Sequence, residues 1–321
     1  MKAYRAHRLA GLELLAVEET PEPKAAEGQV LITVRAVGLH LADLAALQGE
    51  RTPKPSLPFT PGLEVAGTVL AGVKGLKKGQ RVVAFMPWGG LAEVVAAPAE
   101  LCVPIPEGLE DAEAASLPLA CAGAIMALRD KAGLVAGETV VVTGAGGQAG
   151  LAAVQVAKQL GAKVIAVAAG EARAALAGEQ GADFLIDGAS ESIGDRAKEL
   201  TGGKGADVIF DPVGGDAFVA ALAGAAIGGR IITAGFAAGR IPQAPIGVFY
   251  ARDLQLLSAN TPLAVQSHPA RARVALAEAV LWAAEKKIMP RIAAKFSFAD
   301  ARHAFEYLKQ RRGNGAVVVT V

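Results

Sequence analysis

The sequence predicts an α/β protein in which a doubly wound parallel sheet is joined to a mostly β unit. Three observations carry this. From Thr139 to Ala234 strand-like and helix-like segments alternate without a break, the pattern of parallel strands linked by crossover helices. Residues 1 to about 110 are instead short apolar runs separated by turn pairs. At the start of the alternating region a β-branched run enters a glycine cluster and continues into an apolar helix.

Taken in order, strands are expected at Leu12 to Glu18, Val30 to Ala36, Val65 to Leu70, Gln80 to Phe85 and Leu91 to Ala96. The pairs Glu27-Gly28, Pro61-Gly62, Lys78-Gly79 and Gly89-Gly90 punctuate them as turns. A short helix at Leu41 to Leu47 precedes a Pro-rich loop, Thr52 to Gly62, where the ring nitrogens cannot serve a ladder. Asp111 to Arg129 reads as helix that Pro118 kinks or splits. The alternation follows, with strands at Thr139 to Thr143, Lys163 to Ala168, Phe184 to Ile186, Ala206 to Phe210 and Arg230 to Ala234. Helices at Gln148 to Leu160, Glu171 to Gln180, Glu191 to Leu200 and Asp216 to Ala226 lie between them. A further strand at Gln255 to Ala259 stands at a sheet edge, where a twofold mate could pair with it. The tail gives a helix at Pro269 to Lys286, a strand at Arg291 to Phe296, a helix at Phe298 to Gln310 and a strand at Ala316 to Val321, expected to return to the first unit.

Composition narrows the function classes. At 321 residues the chain suits two domains at ~150 residues each. With 52% apolar and 20% charged residues it is ordered, and its 38 glycines show no collagen period, so they serve turns and close backbone approaches. A net charge of +1 without a basic cluster leaves no electrostatic footprint for nucleic acid or anionic membrane. Two cysteines, Cys102 and Cys121, make neither a disulfide framework nor a four-Cys zinc lobe, which fits a reducing cytoplasm. Lys2, Arg5 and Arg8 start a segment with no apolar core of a secretory signal. Mean hydropathy is +0.37, and Thr139 to Val156 carries no charge, yet its central glycines argue for strand, turn and helix rather than a membrane span.

The strongest motif lies in that uncharged stretch. Ala145-x-Gly147-x-x-Gly150 sits between a strand and a helix, and a second strand begins about 24 residues after the first, the setting of a dinucleotide fingerprint. Ala145, Gly146, Gly147, Gln148, Ala149 and Gly150 are the cofactor-binding candidates. Gly147 admits the pyrophosphate close to the backbone, Gly150 lets the helix pack tightly, and the amides near Gln148 face the phosphates with the helix dipole behind them. The bland alternative is an ordinary glycine turn. Where an NAD site places a carboxylate on the ribose, this chain has Ala168, Ala169 and Gly170, and Arg173 follows within one helical turn. A guanidinium there pairs with a 2'-phosphate, so NADP(H) is favoured. Arg173 as a solvated helix residue is the alternative, and Glu171 is the residue that could reverse the choice.

The ordered set PGLEVAG (Pro61 to Gly67), GGLAEVV (Gly89 to Val95), GAGGQAGLAAVQVAKQLGA, DVIFDPVGGDAF (Asp207 to Phe218) and GGRIITAGFAAG (Gly228 to Gly239) resembles the medium-chain dehydrogenase/reductase superfamily. Within it, the chain is similar to the zinc-free quinone oxidoreductase, or zeta-crystallin-like, branch. The resemblance implies a GroES-like, mostly β catalytic domain from residues 1–119 and 261–321, with a Rossmann NADP-binding domain, 120–260, inserted into it. It implies hydride transfer from NADPH to a quinone or an activated enone, a homodimer, and no catalytic zinc. The positions at which zinc-dependent members carry ligands fall on His40, Leu63 and a residue near Leu119, and a single such histidine cannot hold the ion.

By the same resemblance His40 stands where relatives carry Asn beside the nicotinamide, able to donate to a carbonyl oxygen. The alternative is a turn-capping histidine, and Asp43 reads as a loop brace. Gly235, Phe236, Ser258 and Asn260 fall where relatives flank the nicotinamide, although Asn260 also suits a turn. Ala45, Leu91 and Gly188 stand where relatives use Tyr, and Gly123 where they often carry Thr. The competing function readings are a 2-alkenal or enoyl-type reductase with little quinone activity, and a cofactor-binding, crystallin-like protein without turnover. No GxSxG, HExxH or GxxxxGK[ST] occurs.

Overall fold

The computed structural model describes residues 1–51, 53–311 and 313–321, so Thr52, at the head of the expected Pro-rich loop, lies outside it. The chain divides into two compact units, Met1–Ala122 with Val265–Val321, and Gly123–Ala264.

The first unit opens with β1 (Lys2–Ala6) and β2 (Leu15–Glu19), an antiparallel pair. The sequence reading missed β1, whose five residues, KAYRA, are too few to show a strand pattern. It also began β2 too early, because Leu12–Leu14 forms a 3₁₀ turn behind Gly11. Then come β3 (Gln29–Leu39), helix α1 (Leu41–Leu47), β4 (Glu64–Val69), β5 (Arg81–Phe85), β6 (Val94–Pro98) and the short, unpredicted β7 (Cys102–Pro104). The expected helix from Asp111 is split rather than kinked. Asp111–Ala114 is α-helical, Pro118–Ala122 and Met126–Lys131 are π-helical turns, and Gly123–Ile125 lies between them. Pro118 lacks the N–H a regular turn needs, and Ala122 N–H reaches back to Leu117 O at 3.0 Å. By length and composition Asp111–Lys131 could cross a membrane, but 83% of its apolar window is buried inside the protein.

The second unit is the alternating region. Its strands β8 (Thr139–Val142), β9 (Lys163–Ala168), β10 (Phe184–Asp187), β11 (Ala206–Asp211), β12 (Ala225–Thr233) and β13 (Gln255–Ser258) form one parallel sheet in the order β10-β9-β8-β11-β12-β13. Helices α2 (Gln148–Gln159), α3 (Glu171–Glu179), α4 (Ile193–Leu200), α5 (Gly215–Leu222) and α6 (Ile246–Ala251) connect them. Val140, Val141 and Val142 are fully buried, as a central parallel strand covered on both faces requires. Strand order reverses between β8 and β11, so their carboxyl ends open the crevice where such sheets bind ligands. β12 begins at Ala225, inside the predicted helix, and α6 was not foreseen.

The chain leaves this unit through α7 (Thr261–Ser267), also unforeseen, and continues into α8 (Pro269–Ala284), β14 (Ile292–Ser297), α9 (Ala301–Lys309) and β15 (Ala316–Thr320). β15 pairs antiparallel with β3, completing a sheet ordered β14-β15-β3-β4-β5-β7, with β6 also on β3. The tail does rejoin the first unit. Ile32, Leu39, Leu47, Leu91 and Phe305 are among its core residues, and Val141, Ile165, Ile209, Phe218 and Ile231 among those of the second unit.

Candidate functional site

In the second unit the site is built at the end of β8. Thr143 N–H donates to Phe210 O at 3.0 Å, and Ala145 N–H donates to Val167 O at 2.9 Å, tying the turn to both neighbouring strands. α2 then starts at Gln148 with Gly147 as its N-cap. A Cβ on Gly150 would lie 2.2 Å from Gly144 O and 2.6 Å from Ala145 Cα, so the first turn of the helix presses directly on the loop backbone. Gly147 has only Gly144 O nearby, 3.4 Å from a built Cβ, which leaves its face open to a ligand. The Gln148 Nε2 amide is buried without a hydrogen-bond partner among the described residues, a donor of the kind that needs an explanation.

Arg173 lies in the first turn of α3, and its stem rests on the glycine loop. A Cβ on Gly146 would meet Arg173 Cβ at 2.7 Å. The spacing set Arg173 within one helical turn of Gly170, and the structure adds its contact with Gly146. Ala168, at the end of β9, is buried, Ala169 and Gly170 follow it, and Gly170 N–H donates to Asp187 Oδ1 at 2.9 Å. Asp187 also accepts from Ala189 N–H and from Ser190 Oγ, and these hydrogen bonds hold its carboxyl below the usual range. It braces the loop after β9, a part that sequence reasoning missed.

A second brace sits at the switch point. Asp211 is fully buried at the end of β11 and accepts a hydrogen bond from Thr143 Oγ1 and another from Gly214 N–H at 2.8 Å. Burial pushes its carboxyl up despite these donors. Gly235 lies with a built Cβ 3.2 Å from Pro212 O, and Phe236 packs its ring near Gly214 while staying 44% exposed. Ser258 ends β13, and its carbonyl accepts from Lys131 Nζ. Asn260 Oδ1 accepts from Leu263 N–H at 3.2 Å, the turn role that the sequence left open, here at the start of α7. Gly123 is covered by Thr261, whose Oγ1 lies 2.8 Å from a built Cβ. A hydroxyl therefore stands over the position where the sequence reading expected one to be lost.

In the first unit His40 is the N-cap of α1. Its N–H donates to Asp43 Oδ2 at 2.9 Å, and Asp43 Oδ1 accepts from Gly62 N–H at 2.9 Å, so Asp43 ties the head of α1 to Gly62 at the end of the Pro-rich segment. The His40 backbone thus caps the helix while the ring does something else. His40 Nε2 lies 2.5 Å from Glu64 Oε1, and Glu64 Oε2 accepts from Leu119 N–H at 2.8 Å. Glu64 is fully buried, in space that Gly38 leaves free: a Cβ there would come within 1.9 Å of Oε1. Burial pulls His40 down, but the Glu64 charge and hydrogen bond, with Asp43 behind them, raise it above its ordinary value. Cys121 is pushed up to about 12 by burial and by Glu64, so it is an inert thiol.

Two family models match, one described as an alcohol dehydrogenase GroES-like domain over residues 26–107 and one as a zinc-binding dehydrogenase over residues 149–273. Quinone oxidoreductase-like protein 2 of Bos taurus is 34% identical over 325 residues, covering 99% of this chain and 93% of that one. The chain belongs to the quinone oxidoreductase-like branch of the medium-chain dehydrogenase/reductase superfamily. The quinone oxidoreductase from Thermus thermophilus, solved alone and with NADPH, matches at a TM-score of 0.86 with 35% identity, covering 100% of both chains. A mycobacterial protein solved as an NADPH complex matches at 0.91 with 29% identity, again covering 100% of both. The resemblance read from the motifs is borne out, and the two sheets are the GroES-like and Rossmann parts that medium-chain oxidoreductases share.

Proposed function

We propose that this oxidoreductase uses NADPH, without zinc, to reduce quinones or activated enones. The observation that carries the cofactor reading is the Arg173 stem seated on Gly146, beside a β9 end that offers Ala169 and Gly170 in place of a carboxylate. The residues present fit the group. Gly147 leaves backbone open to phosphate, Gln148 Nε2 offers a buried donor without a partner among the described residues, and the twelve-residue α2 directs its dipole at the same place. Relatives solved with NADPH agree.

A catalytic zinc does not fit. Leu63 is buried at one ligand position of the zinc-dependent members, His40 Nε2 already holds Glu64, and among the described residues no group of three His, Cys, Asp or Glu side chains could bind an ion. Bound NADPH would supply hydride from its nicotinamide. The chain's own residues position and hold protons. With Nε2 committed to Glu64, a donor role for His40 toward a carbonyl oxygen falls to Nδ1 and requires the protonated ring, which the raised pKa favours. Ser258, Asn260, Gly235 and Phe236 stay candidates for the nicotinamide surroundings through backbone and shape.

An Arg173→Leu protein should bind NADPH about 10- to 100-fold more weakly, the loss of a charge-assisted hydrogen bond, while NADH binding stays as it was. Fluorescence titration of both cofactors reads this directly. An unchanged NADPH-to-NADH ratio would remove Arg173 as the 2'-phosphate partner. Separate initial rates on ortho-quinones and on enones decide between quinone reductase and enoyl-type reductase.

A further inference from the structure

Arg51, in the segment after α1, has an environment that the fold does not explain. Its guanidinium carbon lies 4.3 Å from the centroid of the Trp88 ring, which in turn meets Phe59 edge-on at 5.7 Å. The planar fork is therefore fixed on an aromatic platform. Its Nη1 is buried without a hydrogen-bond partner among the described residues. Among the described residues the charge that acts on it is the Asp43 carboxylate, and both oxygens of that group already accept, one from His40 N–H and one from Gly62 N–H. Burial lowers the guanidinium pKa from its usual value, and Asp43 offsets this only in part.

Leaving a buried, charged donor unmade is costly, so a fold that needed only packing over Trp88 would do better with an apolar side chain. The side chain also lies beside the candidate chemistry, because Asp43 is bonded to His40 and its charge reaches Arg51. What a stacked guanidinium with an open donor suits is a planar oxyanion.

We propose that Arg51, laid on Trp88, recognises a carboxylate on the acceptor, so that the preferred substrates are enones or quinones carrying a carboxylate in addition to the reducible bond. This rests on the reductase reading above and names its substrate class. Trp88 and Phe59 hold the guanidinium in place, and the acceptor's carboxylate supplies the missing partner.

Acetylacrylate and its methyl ester present the same enone with and without the charge. Calorimetric binding of each to wild-type, Arg51→Met and Arg51→Lys proteins tests the proposal, with initial NADPH-dependent rates measured alongside. Methionine keeps an unbranched stem over Trp88, and lysine keeps the charge without the fork. Wild-type protein should bind acetylacrylate roughly tenfold or more tightly than Arg51→Met, Arg51→Lys should recover part of that, and the ester should bind all three alike. In turnover the Met variant should raise KM for the acid with little change in kcat. Equal binding of the acid by wild-type and Arg51→Met, or no binding to the wild type, overturns it. Arg51-dependent binding with no reduction of either compound would uphold the anion site and count against the reductase reading instead.

Discussion

Replacing Gly150 by alanine is expected to weaken NADPH binding roughly tenfold or more and to destabilise the protein by about 3 kcal/mol. The added methyl would sit 2.2 Å from Gly144 O and 2.6 Å from Ala145 Cα. Both are backbone atoms, so no side chain can swing away, and the loop between β8 and α2 must move as a whole. That loop is fastened by Ala145 N–H on Val167 O and Thr143 N–H on Phe210 O, and moving it strains the ends of both neighbouring strands. Gly147→Ala provides the contrast. Its methyl would meet only Gly144 O, at 3.4 Å, so the fold should survive while the face open to phosphate is filled. Cofactor titration and urea unfolding of both variants check this, and a Gly150→Ala protein with wild-type affinity and stability would refute the loop geometry.

The second large effect is expected at Glu64. Glu64→Ala strips a buried carboxylate from His40 Nε2 and from Leu119 N–H together, and breaking a buried pair costs about 3–5 kcal/mol. The milder Glu64→Gln keeps the shape and removes the charge, which makes the loss depend on pH. His40 has a folded pKa above its unfolded one, so the stability it contributes is complete below about pH 6.5 and is lost as pH rises through the folded value. The stability gap between wild type and Glu64→Gln should therefore be wider near pH 6 than near pH 9, as read by urea melts at the two pH values. A gap independent of pH would mean that Glu64 does not hold a proton on His40.

What the sequence made legible follows from how locally each feature is encoded. The run from β8 through α2 to β9 is written in adjacent residues: a β-branched strand, a glycine turn and an uncharged helix. It was read with its strand and helix in place. The return of the tail was also foreseen. The strands β1 and β7 were not, because each is short and takes its stability from pairing with a neighbouring strand rather than from its own sequence. α6 and α7 lie among prolines and glycines that read as loop.

The site divides the same way. Gly147, Gly150 and Arg173 announce themselves by spacing. The His40–Glu64 pair spans 24 residues and Arg51 reaches Trp88 across a turn-rich segment, so no period links them. One signal was available for Glu64, since it is the single charge between Phe59 and Lys74. A lone carboxylate in a buried strand needs partners, and that question leads to His40 and Leu119.

The most direct test of NADPH-dependent reduction without zinc is the rate of NADPH oxidation by protein stripped of metal with a chelator, in the presence of an ortho-quinone or an enone. Turnover that survives stripping, and that zinc does not increase, is the predicted result. No oxidation with any acceptor, or activity that disappears with the chelator and returns with zinc, would contradict it.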